Sequence, residues 1–165
     1  MIDEKDLPLL KERYKKIIQD ELALAGFTEE DGDFIFRYEC KTFILYFHES
    51  DPSFVRLMLP GIYWLRDADQ EQIRRAEECA NEVNHRCKAI KLFRSLKTDK
   101  DGEYSVAASI EFFVEDIPSL SSRLFERYLS AIKSGAMEFR SAFNTDDSIG
   151  DRTVKPILPS SPLRH

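Results

Sequence analysis

The side chains best suited to chemistry in this chain are its three cysteines and three histidines. Cys79, His85 and Cys87 lie close together, and thiolates and imidazoles are the ligands that zinc prefers. Structural zinc sites, however, pair their ligands at short spacings such as C-x2-C, twice over, and no such pair occurs here. We therefore interpret the cysteines as buried or incidental thiols and expect no metal or other cofactor.

Nucleophilic catalysis has one candidate segment, His48-Glu49-Ser50-Asp51, which contains the residue types of a hydrolytic triad. Consecutive residues at the end of a strand point in different directions, so these four cannot form a triad among themselves, and a polar turn is predicted. No glycine-rich phosphate loop is present. We predict that the protein is not an enzyme. A small-molecule sensor or enzyme would need a pocket of convergent polar groups.

Two asparagines, Asn81 and Asn84, stand three residues apart at the predicted end of a helix. Asparagine side chains bond the free carbonyl groups of a helix terminus, so a structural role in ending this helix is favoured. The alternative is a ligand-binding role, in which these amides and His85 line the pocket of a sensor.

Composition excludes several classes of partner. Among 165 residues, Lys and Arg number 24 against 30 Asp and Glu, which gives a net charge of -6. Nucleic acids and anionic membranes are bound through clustered basic residues, so neither is an expected partner. No apolar run reaches the roughly 20 residues that cross a bilayer, and the acidic first residues differ from a signal peptide. With an odd number of cysteines, these features predict a cytoplasmic protein.

Hydrophobic periodicity predicts a single α+β domain over residues 1–143, with the order α-β-β-β-α-β-β-α, followed by a flexible C-terminal tail at 144–165. The first helix is expected to end at Gly26, the second to begin at Asp67 with Gln70 completing a capping box, and the third to open at Pro118. Five strands are predicted, at residues 34–38, 42–48, 54–59, 89–96 and 104–114.

The first three strands carry apolar side chains on both faces. Phe43 and Leu45 share one face of the second strand, while Ile44 and Tyr46 point to the other. An antiparallel sheet with one wet face should show polar residues there, so we expect the second face to be covered by a partner subunit or by the following segment, Ile62–Leu65. In that predicted loop Trp64 either plugs the core or forms an interface. The candidate protein-contact residues are Ile62, Tyr63, Trp64, Leu65, Ile44 and Tyr46.

Residues 76–84, AEECANEVN, with Lys88 and the strand at 90–93, resemble the helix, N-x-x-N, strand signature of the YbjN-like family. Members of that family are similar in fold to type III secretion chaperones. The resemblance implies a curved, five-stranded antiparallel sheet packed against helices, a homodimer without a cofactor, and a bacterial origin. Neither the 62–65 segment nor the tail belongs to this pattern.

These observations favour a non-enzymatic protein-binding or regulatory protein that acts as a homodimer. The alternative is a chaperone or adaptor that holds a specific client protein in an apolar groove.

Overall fold

The computed structural model describes residues 2–95 and 103–146 of the chain, without the side chains of 145 and 146. This part of the chain forms one six-stranded antiparallel sheet and three α-helices, an α+β architecture. The helices are α1 (Leu7–Lys16), α2 (Gln70–Arg86) and α3 (Ser122–Asp146). The strands are β1 (Ala25–Glu30), β2 (Asp33–Tyr38), β3 (Lys41–Phe47), β4 (Phe54–Leu65), β5 (Ile90–Arg94) and β6 (Tyr104–Phe113). Their order in the sheet is β1-β2-β3-β4-β6-β5.

The prediction of five strands is wrong, because an additional strand, β1, begins at the predicted end of the first helix and continues to Glu30. A short π-helical segment, Ile17–Glu21, follows α1. The chain then turns at Ala23, whose φ is +49°, and Gly26 lies inside β1 rather than ending a helix. Phe27 is the only large apolar side chain in this short edge strand, so the strand has no periodic apolar pattern by which the sequence could reveal it.

Strand β4 extends six residues beyond its predicted end, so the assignment of residues 60–65 to a loop is also wrong. β4 pairs with β6 on both sides of an irregularity between Leu59 and Tyr63. Pro60 falls in this irregularity, where a missing N–H costs the ladder little. The carbonyl oxygen of Ile62 accepts two hydrogen bonds from Arg140 of α3, at 2.9 and 2.8 Å.

Gly61 is required at the same irregularity for two reasons. Its φ of +58° lies in the left-handed region that other residues seldom adopt. A Cβ at this position would also overlap Nε1 of Trp64, because the indole ring lies against the glycine backbone.

Helix α2 begins two residues later than predicted. Asp69, not Asp67, caps it: its carboxylate accepts from the N–H of Gln72 at 2.8 Å, and the Gln72 side chain accepts from the N–H of Asp69 at 3.1 Å. The local sequence DADQEQ contains both D-x-x-Q spacings, so the pattern alone could not choose between them.

Helix α3 is capped by Ser121, whose hydroxyl accepts from the N–H of Leu124 at 3.3 Å, so Pro118 precedes the helix. The helix continues to Asp146, three residues into the predicted tail. The rest of the tail and the whole of the predicted turn at 98–102 lie outside the described residues.

The core fills the space between the three helices and one face of the sheet. An aromatic cluster forms its centre: the ring of Phe125 on α3 lies 5.7 Å from that of Tyr14 on α1 and 5.9 Å from that of Phe36 on β2. All three side chains are buried. Burial of each large apolar side chain contributes about 1.5–3 kcal/mol, so this layer is the main source of stability.

Gly135 of α3 lies directly against Ile90, the first residue of β5. A Cβ at position 135 would overlap Cδ1 of Ile90, which is itself 5% exposed. The absent side chain therefore sets the distance between α3 and the edge of the sheet.

We expect Gly135→Ala to destabilise the protein by about 1–3 kcal/mol, because the added methyl group overpacks the core. Ile90→Val removes the overlapping Cδ1 atom. Gly135→Ala should therefore cost less stability when it is added to Ile90→Val than when it is added to the wild type. Urea unfolding of the four proteins gives the coupling energy. Strictly additive effects would contradict the assigned contact.

Candidate functional site

Within residues 2–95 and 103–146, the helices leave one face of the sheet uncovered, which we call the open face. Strand register decides which side chains it carries: Val55 and Phe112 are cross-strand partners on the helix side, and Phe54 and Phe113 are the next pair on the opposite side. Phe112 confirms the assignment, since its ring stacks 4.3 Å from that of Tyr128 on α3.

The open face needs less external cover than the sequence suggested. Ile44, a predicted contact residue, is only 6% exposed within the single chain, so it offers little surface to a partner. Strand β6 contributes small residues to this face, and Ser105 and Ala107 are buried although no helix lies over them. Their cross-strand neighbours, Trp64 and Phe93, are larger and partly exposed. Large side chains beside small ones therefore shelter much of this face.

The six predicted contact residues fall into two groups. Ile62, Tyr63 and Leu65 are core residues at 1–3% exposure, so they offer a partner almost no surface. Trp64 and Tyr46 are half-buried on the open face and stay candidates for contact. Trp64 also plugs the sheet irregularity, so the two predicted roles of this residue are compatible.

The most exposed apolar pair on the open face was missed by the sequence reasoning. Phe54 and Phe113 are cross-strand partners, 36% and 62% exposed respectively. We call them the Phe pair. The dipeptide Phe112-Phe113 was the available signal, because adjacent strand residues point to opposite faces and one of the two had to leave the core.

Three charged side chains on the open face, two residues or more from the Phe pair along the strands, form one ion-pair network. Glu111 on β6 accepts from Nε of Arg56 on β4 at 2.8 Å and from Nζ of Lys91 on β5 at 2.9 Å. The Lys91 hydrogen bond, with a further contribution from Arg56 and against some desolvation, lowers the pKa of the Glu111 carboxyl. The Glu111 carboxylate is therefore paired, while the network as a whole keeps an excess of positive charge.

The asparagines do not form a joint site. Asn81 is exposed on α2, whereas the Asn84 side chain reaches the edge strand β5. Its Nδ2 donates to the carbonyl of Leu92 at 2.9 Å, and its Oδ1 accepts from the N–H of the same residue at 2.7 Å. The Asn84 side chain thus fastens α2 to the sheet, whereas the sequence predicted that it would cap the helix end.

The remaining polar candidates do not converge either. His48 bonds Ser50 at 3.0 Å while Asp51 bonds Ser53 at 2.6 Å, so the carboxylate does not orient the imidazole. Within residues 2–95 and 103–146, no three His, Cys, Asp or Glu side chains are grouped as a metal site would require.

A shallow depression of about 260 Å³ lies beside the start of α3. All of its lining residues are exposed, so it has no buried polar group to orient a ligand. They are Ser121, Arg123, Leu124 and Arg127.

Two ionisable groups are held in unfavourable surroundings. Burial raises the pKa of the Asp33 carboxyl, and the hydrogen bond it accepts from the N–H of Phe47, at 3.1 Å, only partly opposes this effect. Burial likewise raises the pKa of Tyr14, whose buried hydroxyl has no hydrogen-bond partner in the part of the chain that the structure describes. Neither group opens onto the depression beside α3.

None of the helices in the described ranges combines the length and apolarity needed to cross a bilayer. No protein-family model and no curated protein sequence matches the chain.

Two solved structures are similar to the chain. One is YbjN from E. coli, a proposed transcription regulator, with a TM-score of 0.56 at 9% identity over 82% of this chain and 93% of that one. The other is an uncharacterised protein from Methanothermobacter thermautotrophicus, with a TM-score of 0.54 at 8% identity over 83% and 98%. At such low identity the likeness shows the fold alone, and it confirms a YbjN-like fold.

We expect Asp33→Asn to stabilise the protein at neutral pH, because the amide oxygen still accepts from Phe47 without burying a charge. The folded-state pKa of Asp33 lies above its unfolded value of about 3.9. The stability that protonated Asp33 contributes is therefore complete below the unfolded pKa and lost as pH rises through the folded pKa. The gain from Asn should vanish in acid. Thermal unfolding of both proteins from neutral to acidic pH measures it, and a gain independent of pH would contradict the account.

We expect Tyr14→Phe to leave stability unchanged or to raise it by about 1 kcal/mol, because it removes a buried hydroxyl that has no partner. Chemical denaturation measures the difference. The matched control is Tyr128→Phe, whose hydroxyl is on a half-buried side chain. A marked loss of stability in the Tyr14 variant alone would reveal a hydrogen bond that the described residues do not show.

Proposed function

We propose that this chain, whose fold is YbjN-like, is a non-enzymatic protein-binding or regulatory protein that acts as a homodimer through the open face of its sheet. The observation that carries the proposal is the exposure of the Phe pair, at 36% and 62%. Exposed aromatic residues gathered on one surface are typical of protein interfaces. Phe93, also 37% exposed, adds a third ring to the same face.

A second copy is the partner that we infer for this face. An isologous interface brings the same patch together twice, so unpaired like charges in it would repel. Glu111 is bonded to both Arg56 and Lys91 and offsets part of their positive charge, which lowers the repulsion between two identical faces. Strands spaced about 4.8 Å apart in a six-stranded sheet give a face of several hundred Å², comparable to the roughly 800 Å² that each partner contributes to a standard interface.

The regulatory part of the proposal is supported by the description of E. coli YbjN as a proposed transcription regulator. With a net charge of -6, this chain is better suited to contacts with proteins than to direct contacts with a nucleic acid backbone. We therefore infer that any regulatory action proceeds through protein partners.

The alternative is that this chain is a chaperone or adaptor and that a client protein occupies the open face. The exposed Phe pair is also compatible with this role, since its rings would then meet an apolar segment of the client. A protein that stays monomeric in the micromolar range while Phe113 remains necessary for binding a defined client would favour the alternative.

We expect Phe113→Gln to weaken self-association at least tenfold, because a large interface aromatic commonly contributes more than 1.4 kcal/mol. The matched control is Met137→Gln on the outer surface of α3, where the side chain is 67% exposed. Light scattering over a dilution series measures the dimer mass of the wild type and both variants. A wild-type monomer in the micromolar range, or equal weakening by both substitutions, would contradict the proposed interface.

A further inference from the structure

The edge strand β5 ends the sheet in an unusual way, through a side chain rather than through solvent or another strand. The Asn84 amide makes two hydrogen bonds to Leu92, one to its N–H and one to its carbonyl. A primary amide carries the same donor and acceptor as a peptide group. Asn84 therefore occupies the position that the backbone of a seventh strand would take.

The hydrogen-bonding direction of successive residues alternates along β5, and this alternation shows which backbone groups would pair with a seventh strand. The N–H of Ser95 donates to the carbonyl of Ser105 on β6 at 2.9 Å, so it faces inward. The N–H of Leu92 faces Asn84 instead. Because hydrogen-bonding direction alternates along a strand, Ile90 and Arg94 share the outward orientation of Leu92. The edge thus offers three consecutive outward positions, and Asn84 engages the central one.

The opposite edge of the sheet is protected by different means. Strand β1 has a register irregularity between Ala25 and Thr28, and Glu29 is exposed on it. Bulges and charges are common ways of preventing edge-to-edge pairing. No register irregularity interrupts the pairing of β5 with β6, so β5 depends more heavily on the side chain that engages it.

We propose that Asn84 closes β5 as a latent strand-addition edge, and that the partner this edge fits when opened is the antiparallel β5 strand of a second copy. Pairing centred on Leu92 sets Lys91 opposite Phe93 of the second copy and Ile90 opposite Arg94. No like charges then face each other across the pair, which is a condition for stable pairing. The two sheets would join into one across a two-fold axis.

This association is independent of the open face. It uses backbone groups at the edge of the sheet, whereas the proposed homodimer uses the Phe pair. Its test is therefore a comparison with the wild-type protein, whatever the oligomeric state of the wild type.

The decisive variant is Asn84→Ala, which removes both hydrogen bonds and leaves a methyl group in place of the amide. The expected result is a twofold rise in mass relative to the wild type by sedimentation velocity at micromolar concentration. The matched control is Asn81→Ala, the same substitution at an exposed position one turn earlier on α2, and its mass should equal that of the wild type.

A second substitution assigns the association to β5. Arg94→Pro removes an outward N–H and leaves the inward bonds to β6 intact, which is where proline is tolerated in an edge strand. Added to Asn84→Ala, it should restore the wild-type mass. Hydrogen exchange of the Leu92 amide in Asn84→Ala should become dependent on protein concentration, because pairing with a second copy replaces the lost protection.

A folded Asn84→Ala protein with the wild-type mass would overturn the proposal, as would association that Arg94→Pro fails to reverse. If Asn84→Ala does not fold, the same two measurements are made on Asn84→Asp: its mass relative to the wild type, and the reversal of any increase by Arg94→Pro. Aspartate keeps the acceptor for the Leu92 N–H and places a carboxylate oxygen against the Leu92 carbonyl, so it opens one of the two bonds.

Discussion

Three helices packed on a single face of the sheet are the constraint on which the rest of this structure depends. All large aromatic packing is directed to that side, where Tyr14, Phe36 and Phe125 meet. The open face must then limit its own exposure, and it does so by setting small residues of β6 beside Trp64 and Phe93. This cover is incomplete at Phe93, and it is weakest where β4 begins and β6 ends, since Phe113 of the Phe pair is 62% exposed there. The proposed interface lies where neighbouring side chains of the open face no longer cover the large rings.

The number of strands in the sheet is also limited. Apolar packing alone cannot close the edge of a sheet, because the outward N–H and carbonyl groups of the edge strand need hydrogen-bond partners of their own. In this chain a single amide on α2 supplies both partners for Leu92, so one side chain couples helix position to sheet width. The spacing N-x-x-N that suggested the resemblance thus contains one residue with a clear structural task and one, Asn81, that is exposed.

Long periodic elements were predictable from the sequence, and local irregularities were not. The amphipathic stripes of the helices and five of the six strands have clear apolar patterns. Strand β1 was missed because its residues are mostly exposed and begin beside a glycine. The continuation of β4 past Pro60 was missed because pairing resumes only through a partner, β6, that lies some forty residues later. For the contact residues the alternation of faces was visible, but whether neighbours would cover Ile44 depends on the strand order, which no local pattern contains.

The position of α3 has a consequence for how the protein is made. This last helix packs on β4, β5, β6 and α2, and it meets the π-helical segment near the start of the chain. Arg140 on α3 also satisfies the carbonyl that the β4 irregularity exposes at Ile62. A ribosome delivers these partners from the amino end, so the sheet emerges before the helix that covers it. Completion of the fold must therefore wait until α3 has left the exit tunnel, and the nascent sheet is the stage at which chaperones would be needed.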